Sequence, residues 1–223
     1  MHITKAEEDY LKALFHLSIG RELERAGTNR LADYLGVAPA SVNNMLKKLK
    51  SKSLVDYEKY GKLSLTEGGK AVAVRLIRRH RLWETFLFNY LNFSWDEVHE
   101  VAEQLEHIHS PKLMAELDRF MGFPQTDPHG EAIPNEFGEI DLRPRTALSS
   151  LKTGDICRMV AVSDESIAFL KYVTKIGLAL NIRIEVGETR EFDRSMDILV
   201  EGIMHSVSGK FAEHIFVEIL DRE

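Results

Sequence analysis

The sequence predicts an α+β protein in three parts: an N-terminal winged helix-turn-helix, a helical dimerisation domain and a small C-terminal β-barrel. Three observations carry this. Apolar residues recur at helical spacing up to position 121 and alternate in short strand-like runs after position 148. Between the two lies a stretch with four of the six prolines (Pro124, Pro128, Pro134, Pro144) and Gly122, Gly130 and Gly138, which reads as a linker. Charge is also segregated: residues 1–93 hold 16 Lys/Arg against 10 Asp/Glu (+6), and residues 94–223 hold 13 against 25 (−12), summing to the net −6. A basic third inside an acidic chain points to one face that meets a polyanion; the alternative is chance segregation. The boundaries that follow are 1–65, 66–122, a linker at 123–147, and 148–223.

Each element has its own reason. Residues 5–19 place Ala6, Tyr10, Leu11, Leu14, Phe15 and Leu17 at helical spacing. Gly20 and Gly27 punctuate a loop, after which Thr28 can cap a short helix over 29–34, with Leu31, Ala32 and Leu35 inward and Gly36 closing it. The turn Val37-Ala38-Pro39 leads into a second helix over 40–51, whose inner face is Val42, Met45, Leu46 and Leu49. Two helices joined by a short Gly-bearing turn are a helix-turn-helix signature.

The outer face of that second helix carries Ser41, Asn43, Asn44, Lys47, Lys48 and Lys50, with Pro39 just ahead of it. Amide and hydroxyl groups come first, suited to base edges, and cations follow, suited to phosphate. Residues 54–58 and 62–65 alternate and meet at Lys59-Tyr60-Gly61, a hairpin whose Lys59 and Lys62 can lie along a phosphate backbone as a wing. A generic amphipathic helix followed by a hairpin is the plainer alternative. Thr66 then caps a long helix over 67–91, Ser94 caps the next, which runs to about Ser110-Pro111, and a third covers 112–121. Their apolar surface exceeds what a small core needs, which predicts a helical dimer interface. Strands are expected at 158–162, 182–186, 198–200 and 215–219, with a helical turn over 169–175; a five-stranded barrel fits the spacing.

Two helices also carry metal-ligand chemistry. On a continuous helix His99, Glu103, Glu106 and His107 stand at i, i+4, i+7 and i+8 and share one face, and His80 and Glu84 are spaced i, i+4. Imidazoles and carboxylates on one stripe can surround a divalent cation, although a solvated charged face would also use them. His2, His16, His109, His205 and His214 lack a partner at ligand spacing and are expected at the surface or satisfied in the core. No apolar run approaches the ~20 residues that cross a bilayer, and Met1-His2-Ile3-Thr4-Lys5 lacks a hydrophobic signal core. The single Cys157, expected in the core, excludes an intramolecular disulfide framework and Cys-rich zinc modules, so a reducing, cytoplasmic setting is expected.

Taken with Glu8-Asp9-Tyr10-Leu11, Arg79-His80-Arg81-Leu82, Leu105-Glu106-His107, Gly122-Phe123-Pro124 and Asp127-Pro128-His129-Gly130, the chain resembles the diphtheria-toxin-repressor family of metal-dependent transcriptional repressors. The likeness is strongest to its manganese-responsive branch, and the last segment resembles the SH3-like (FeoA-like) domain of longer members. The resemblance implies a metal-loaded homodimer on a palindromic double-stranded DNA operator, repressing metal-homeostasis genes, with no membrane and no organic cofactor. It implies a primary site of Asp9, Glu103, Glu106 and His107, with His80 close by. It implies a second site of Glu84, Asp127, His129 and Asp164, for which Glu165 is a rival, and leaves His99 as ligand or support. Carboxylates at positions 9 and 103, where iron-responsive relatives carry sulfur ligands, suit Mn2+ and tolerate Fe2+. Lys12, where short manganese-responsive relatives carry an acid, argues against a two-metal cluster. Without metal the facing carboxylates of the primary site are expected to repel one another and loosen the N-terminal helix. Two other readings remain open at this stage: a carboxylate-bridged di-metal oxidase-type enzyme, and a winged-helix regulator that senses an organic ligand.

Overall fold

Thr4 and Glu7 begin the first helix as a reciprocal cap, the Glu7 carboxylate accepting from the Thr4 amide (2.8 Å) and the Thr4 hydroxyl from the Glu7 amide (3.4 Å). The computed structural model describes residues 2–19, 22–57, 63–141, 145–163 and 166–220. It divides into two compact units, and the division falls inside one helix, between His80 and Arg81.

The first unit comprises Met1–His80, Glu106–His109 and Pro134–Glu139. Helix α1 (Lys5–Ile19) buries Tyr10, Leu11, Ala13, Leu14 and Leu17. Helix α2 (Glu22–Leu35) is interrupted at Gly27, whose φ of 54° breaks the helical path one residue before the expected cap. Helix α3 spans Pro39–Ser51. Pro39, expected in the turn, is its first residue, where a missing N–H costs nothing. Val42, Leu46 and Leu49 face inward; Ser41, Asn44, Lys47 and Lys48 are exposed. Strands β1 (Val55–Tyr57) and β2 (Leu63–Leu65) pair antiparallel, Val55 opposite Leu65 and Tyr57 opposite Leu63. The wing tip, with Lys59 and Lys62, lies outside the described residues. These elements share one core with the start of helix α4 (Glu67–Leu91), notably Val72 and Ala73.

The second unit comprises Arg81–Leu105, Ser110–Ile133 and Ile140–Glu223. Ser94 and Glu97 open the turn into helix α5, the Glu97 carboxylate accepting from the Ser94 amide (2.8 Å) and hydroxyl (2.7 Å). Helix α5 covers only Val98–Leu105. Glu106 and His107 therefore lie in the turn beyond it, and the single helical stripe expected from 99 to 107 does not form. Helix α6 (Pro111–Phe120) starts with the Ser110 hydroxyl accepting from the Leu113 amide (3.3 Å). Among the described residues of the stretch read as a linker, regular structure is confined to a strand at Thr146–Ala147, yet Asp127, Pro128, His129 and Gly130 are all buried. It is pinned by a bridge between Thr126 and Ala132.

The C-terminal part is an antiparallel sheet in the order β3-β8-β4-β5-β6-β7. Its strands are β3 (Thr146–Ala147), β4 (Ile156–Val162), β5 (Arg183–Thr189), β6 (Met196–Val200), β7 (Ile203–Val207) and β8 (Ile215–Ile219). Six strands replace the expected five, and among the described residues no ladder joins β3 to β7. Strand β7 escaped the sequence reading because Ile203 and Met204 are exposed at an edge, which blurs alternation. Helix α7 (Ile167–Lys175) contributes Leu170 and Val173 to the core, and a short helix α8 (Gly209–Glu213) precedes β8. Trp95 enters the same core, and its indole N–H donates to the Pro128 carbonyl (2.7 Å), so the 127–130 turn is anchored from the helical side. The His129 carbonyl accepts from the Val162 amide (3.0 Å), anchoring it from the sheet side.

Candidate metal centres

In the first unit, Asp9 of α1 and the Glu106-His107 dipeptide each offer a ligand atom, all within 4.8 Å of one another. The sequence separation is long, and the geometry is set by neighbours that sequence reading overlooked. Glu8 is buried and accepts from Arg79 Nη2 at one oxygen (2.7 Å) and from His107 Nδ1 at the other (2.7 Å). His107 Nε2 then lies 3.1 Å from Asp9 Oδ1 and 3.5 Å from Glu106 Oε1. Among the described residues, neither His107 Nε2 nor Glu106 Oε1 has a hydrogen-bond partner, although both atoms are buried. Buried acceptors left without donors are costly, and a cation at that point removes the cost. The donor set therefore fits a divalent metal ion.

The other oxygen of Glu106 is occupied. Lys12 Nζ donates to Glu106 Oε2 at 2.7 Å, and His80 Nδ1 lies 2.6 Å from the same oxygen and 3.2 Å from the ammonium. Lys12 thus supplies a built-in cation on one side of Glu106. Arg79 supplies another on Glu8, and it also donates through Nε to the Glu106 carbonyl. The expectation of mutually repelling carboxylates needs correction here, because positive side chains of the chain itself are interleaved among them. His109, set aside in the sequence, lies 3.4 Å from Glu8 and is largely exposed. The signals for Glu8 and Lys12 were their positions one residue before and three after Asp9, on the same turn of α1.

The second unit gathers Glu84, Asp127 and His129, all buried, again within 4.8 Å of one another. His129 stacks on Trp95 (ring centroids 5.5 Å apart, planes 15° apart), and its Nε2 lies 3.1 Å from the Trp95 carbonyl. A carbonyl only accepts, so Nε2 carries a proton, and Nδ1 lies 3.9 Å from Glu84 Oε2. Asp127 is held by an Asx turn, its Oδ1 accepting from the His129 (2.8 Å) and Glu131 (2.9 Å) amides. Burial, reinforced by the charge of Glu84, pushes its carboxyl up to about 7 despite Arg81 nearby. A buried imidazole beside two crowded carboxylates also fits a divalent ion.

The remaining expected ligands fall as follows. His99 sits with Glu84 (3.3 Å) and Glu103 (3.8 Å) within the second unit. Glu103 is on α5 and is not in the Asp9–Glu106–His107 group. Asp164 and its rival Glu165 lie outside the described residues. Cys157 is fully buried, as expected of a core residue.

On α3, Asn44, Lys47 and Lys48 face solvent. Asn43 and Lys50 have other duties as well: the Tyr57 hydroxyl donates to Asn43 Oδ1 (2.7 Å), and Lys50 Nζ donates to the Tyr57 carbonyl (2.7 Å). The two bonds brace strand β1 against α3.

Comparison with known proteins is consistent along the chain. Residues 2–63 match the model for "Iron dependent repressor, N-terminal DNA binding domain", and residues 66–135 match "Iron dependent repressor, metal binding and dimerisation domain". Residues 146–219 match the FeoA domain. A solved structure titled "Manganese-dependent transcriptional repressor complex with manganese" is similar at 35% identity and TM-score 0.84, covering 96% of this chain and 100% of that one. The HTH-type transcriptional regulator MntR of Oceanobacillus iheyensis is 34% identical over 47% of this chain and 69% of its own length. The chain spans 17% of a "Probable metal transport system membrane protein" of Chlamydia trachomatis (41% identity over 35% of this chain). It spans 54% of the iron-dependent repressor IdeR of Mycobacterium bovis (30% identity over 57% of this chain). No helix among the described residues is long and apolar enough to cross a membrane. With its three parts matched in order and the solved repressor covered from end to end, the chain belongs to the iron-dependent repressor (DtxR/MntR) family of metal-dependent transcriptional repressors.

Proposed function

We propose that this protein is a cytoplasmic, manganese-responsive repressor, tolerant of Fe2+, that binds a palindromic DNA operator as a homodimer when metal-loaded and controls metal-homeostasis genes. The observation that carries the reading is the first cluster. Its ligand candidates join α1, part of the core that holds the recognition helix, to the Glu106-His107 turn. Asp9, Glu106 and His107 are the proposed primary ligands, with Glu103 as a fourth on the strength of the family resemblance. Glu84, Asp127 and His129 are the proposed second set, with His99 as ligand or support and Asp164 or Glu165 completing it.

Oxygen and imidazole donors without sulfur favour Mn2+ among the divalent metals available to such a site, selectivity coming from geometry and supply. A bound divalent cation supplies charge that the converging carboxylates share. The chain's own residues do the rest. Lys12 holds one oxygen of Glu106 and leaves the other to the site, which supports one ion there rather than a carboxylate-bridged pair and weighs against the oxidase-type alternative. Asn44, Lys47 and Lys48, with Pro39 and Ser41 at the helix start, meet DNA; Asn43 reads or braces; Lys59 and Lys62 extend the contact from the wing. For the dimer, the second unit's parts of α4 and α6 carry an aromatic group, half-buried Phe86 with exposed Tyr90 and Phe120, with ring centroids 5.0 to 6.1 Å apart and Phe120 63% exposed. A second copy covering this patch supports the symmetric association that a palindrome requires. The working division remains 1–65 for DNA, 66–122 for metal and dimer, 123–147 as connector and 148–223 as the FeoA-like part.

The test is a gel shift on DNA selected from a random library by the manganese-loaded protein. Binding is expected with Mn2+, lost in chelator, and lost in His107→Ala and Glu103→Ala variants that still dimerise. Equal binding in chelator points instead to a regulator that senses an organic ligand and removes the metal reading.

A further inference from the structure

We infer that Glu8, which is outside the ligand set, is the positioning residue of the first cluster: it selects the nitrogen of His107 that faces the other ligands. This rests on reading that cluster as a metal site. Glu8 is buried, and its two oxygens are divided between two donors, Arg79 Nη2 and His107 Nδ1, each at 2.7 Å. A carboxylate only accepts, so the hydrogen bond places the ring proton on Nδ1. In the neutral ring the lone pair is then on Nε2, the atom 3.1 Å from Asp9 Oδ1 and 3.5 Å from Glu106 Oε1. The opposite tautomer puts a proton where a metal ion needs a lone pair.

Arg79 makes the arrangement rigid. Its guanidinium holds Glu8 through Nη2 and the Glu106 carbonyl through Nε. Glu8, Arg79, the Glu106 backbone and the His107 ring therefore form a closed circuit that orients both residues of the dipeptide. An ion pair serving the fold alone needs only the Arg79 half of this circuit. The bond from His107 to the second oxygen is what a supporting carboxylate for a ligating imidazole provides, and loss of such partners typically costs about 10- to 100-fold in metal affinity. His109, 3.4 Å from Glu8 and open to solvent, does not replace it, because it approaches the same oxygen that His107 uses.

The test is Glu8→Gln in the full chain. An amide has one accepting oxygen and one donating nitrogen, so either Arg79 or His107 must face an N–H. Titration with Mn2+ followed by electron paramagnetic resonance is expected to show first-cluster affinity falling about 10- to 100-fold, with loading of the second cluster retained. If the variant does not fold, the wild type carries the test. In metal-free protein at mildly alkaline pH, long-range proton–nitrogen spectra are expected to show the His107 proton on Nδ1 and none on Nε2. A variant titration that superimposes on the wild type, or a His107 ring protonated at Nε2, overturns the inference. Failure of the wild type itself to bind Mn2+ overturns the function proposed above instead.

Discussion

Replacing Lys12 by Met keeps most of the stem and removes the cation that faces Glu106. The Glu106 side chain is fully buried and that of Lys12 only 13% exposed, so solvent screens the pair weakly. At 2.7 Å and an effective dielectric near 20, two unit charges attract by about 6 kcal/mol. Stripping water from both offsets a large part of that, and removing one partner of a buried pair typically costs ~3–5 kcal/mol. The lower end applies here, because Glu106 keeps His80 Nδ1, 2.6 Å away, as a second partner on the same oxygen. A loss of about 3 kcal/mol corresponds to a fall of about 6–12 °C in melting temperature for a chain of this size. Manganese is expected to act in the opposite direction. With the resident cation gone, a divalent ion meets less repulsion, so saturating Mn2+ raises the variant's transition by more than the wild type's. Calorimetry in chelator and in excess Mn2+ reads both quantities. An unchanged transition in chelator, or a smaller manganese-induced gain in the variant, refutes the assignment of Lys12 as the cluster's internal counter-ion.

Three further outcomes follow from particular contacts. Gly130 has φ +86°, and a Cβ there would lie 2.1 Å from the Val160 carbonyl oxygen. Gly130→Ala is therefore expected to cost at least about 3 kcal/mol and to halve the manganese bound per chain after dialysis; full loading with an unchanged melting curve counts against it. Tyr57→Phe removes the 2.7 Å bond to Asn43; a loss of about 1 kcal/mol should weaken operator binding several-fold in a gel shift while Mn2+ affinity stays constant, and equal DNA affinity dismisses the brace. Burial pushes the Cys157 thiol up to about 12, so a thiol reagent at mildly alkaline pH should leave it unmodified until denaturant is added. Rapid labelling of the folded chain contradicts its place in the core.

Much of the architecture was legible because periodicity reports burial directly. Helix α4 runs from Glu67 to Leu91, as its apolar spacing and the Thr66 cap indicated, and the Thr66 hydroxyl indeed accepts from the Gly69 amide (3.0 Å). The helix-turn-helix was readable from Gly36, Pro39 and the inward Val42, Leu46 and Leu49. Errors arose where local signals do not report termination. His99, Glu103, Glu106 and His107 read as one stripe because nothing between Leu105 and Ser110 is a strong helix breaker, yet α5 stops at Leu105 and the dipeptide lies in the turn that follows. The segment 122–148 read as a linker on its Pro and Gly content, which marks irregular backbone but not exposure. Trp95 and Val162 bury its central turn from either side.

The order of the parts, the helical and strand periods, and the residue types gathered for chemistry are properties of the chain taken locally. They determined the α+β plan, the basic reading head and the oxygen–imidazole character of both clusters. Which atom of each side chain is available is a different kind of property. Lys12 reaches Glu106 across 94 positions and His107 reaches Glu8 across 99. Only folding decides that one oxygen of Glu106 is neutralised while the other is left for a ligand. Hydrogen-bond direction and charge pairing depend on which groups meet in space, and sequence spacing carries no record of such meetings between distant segments.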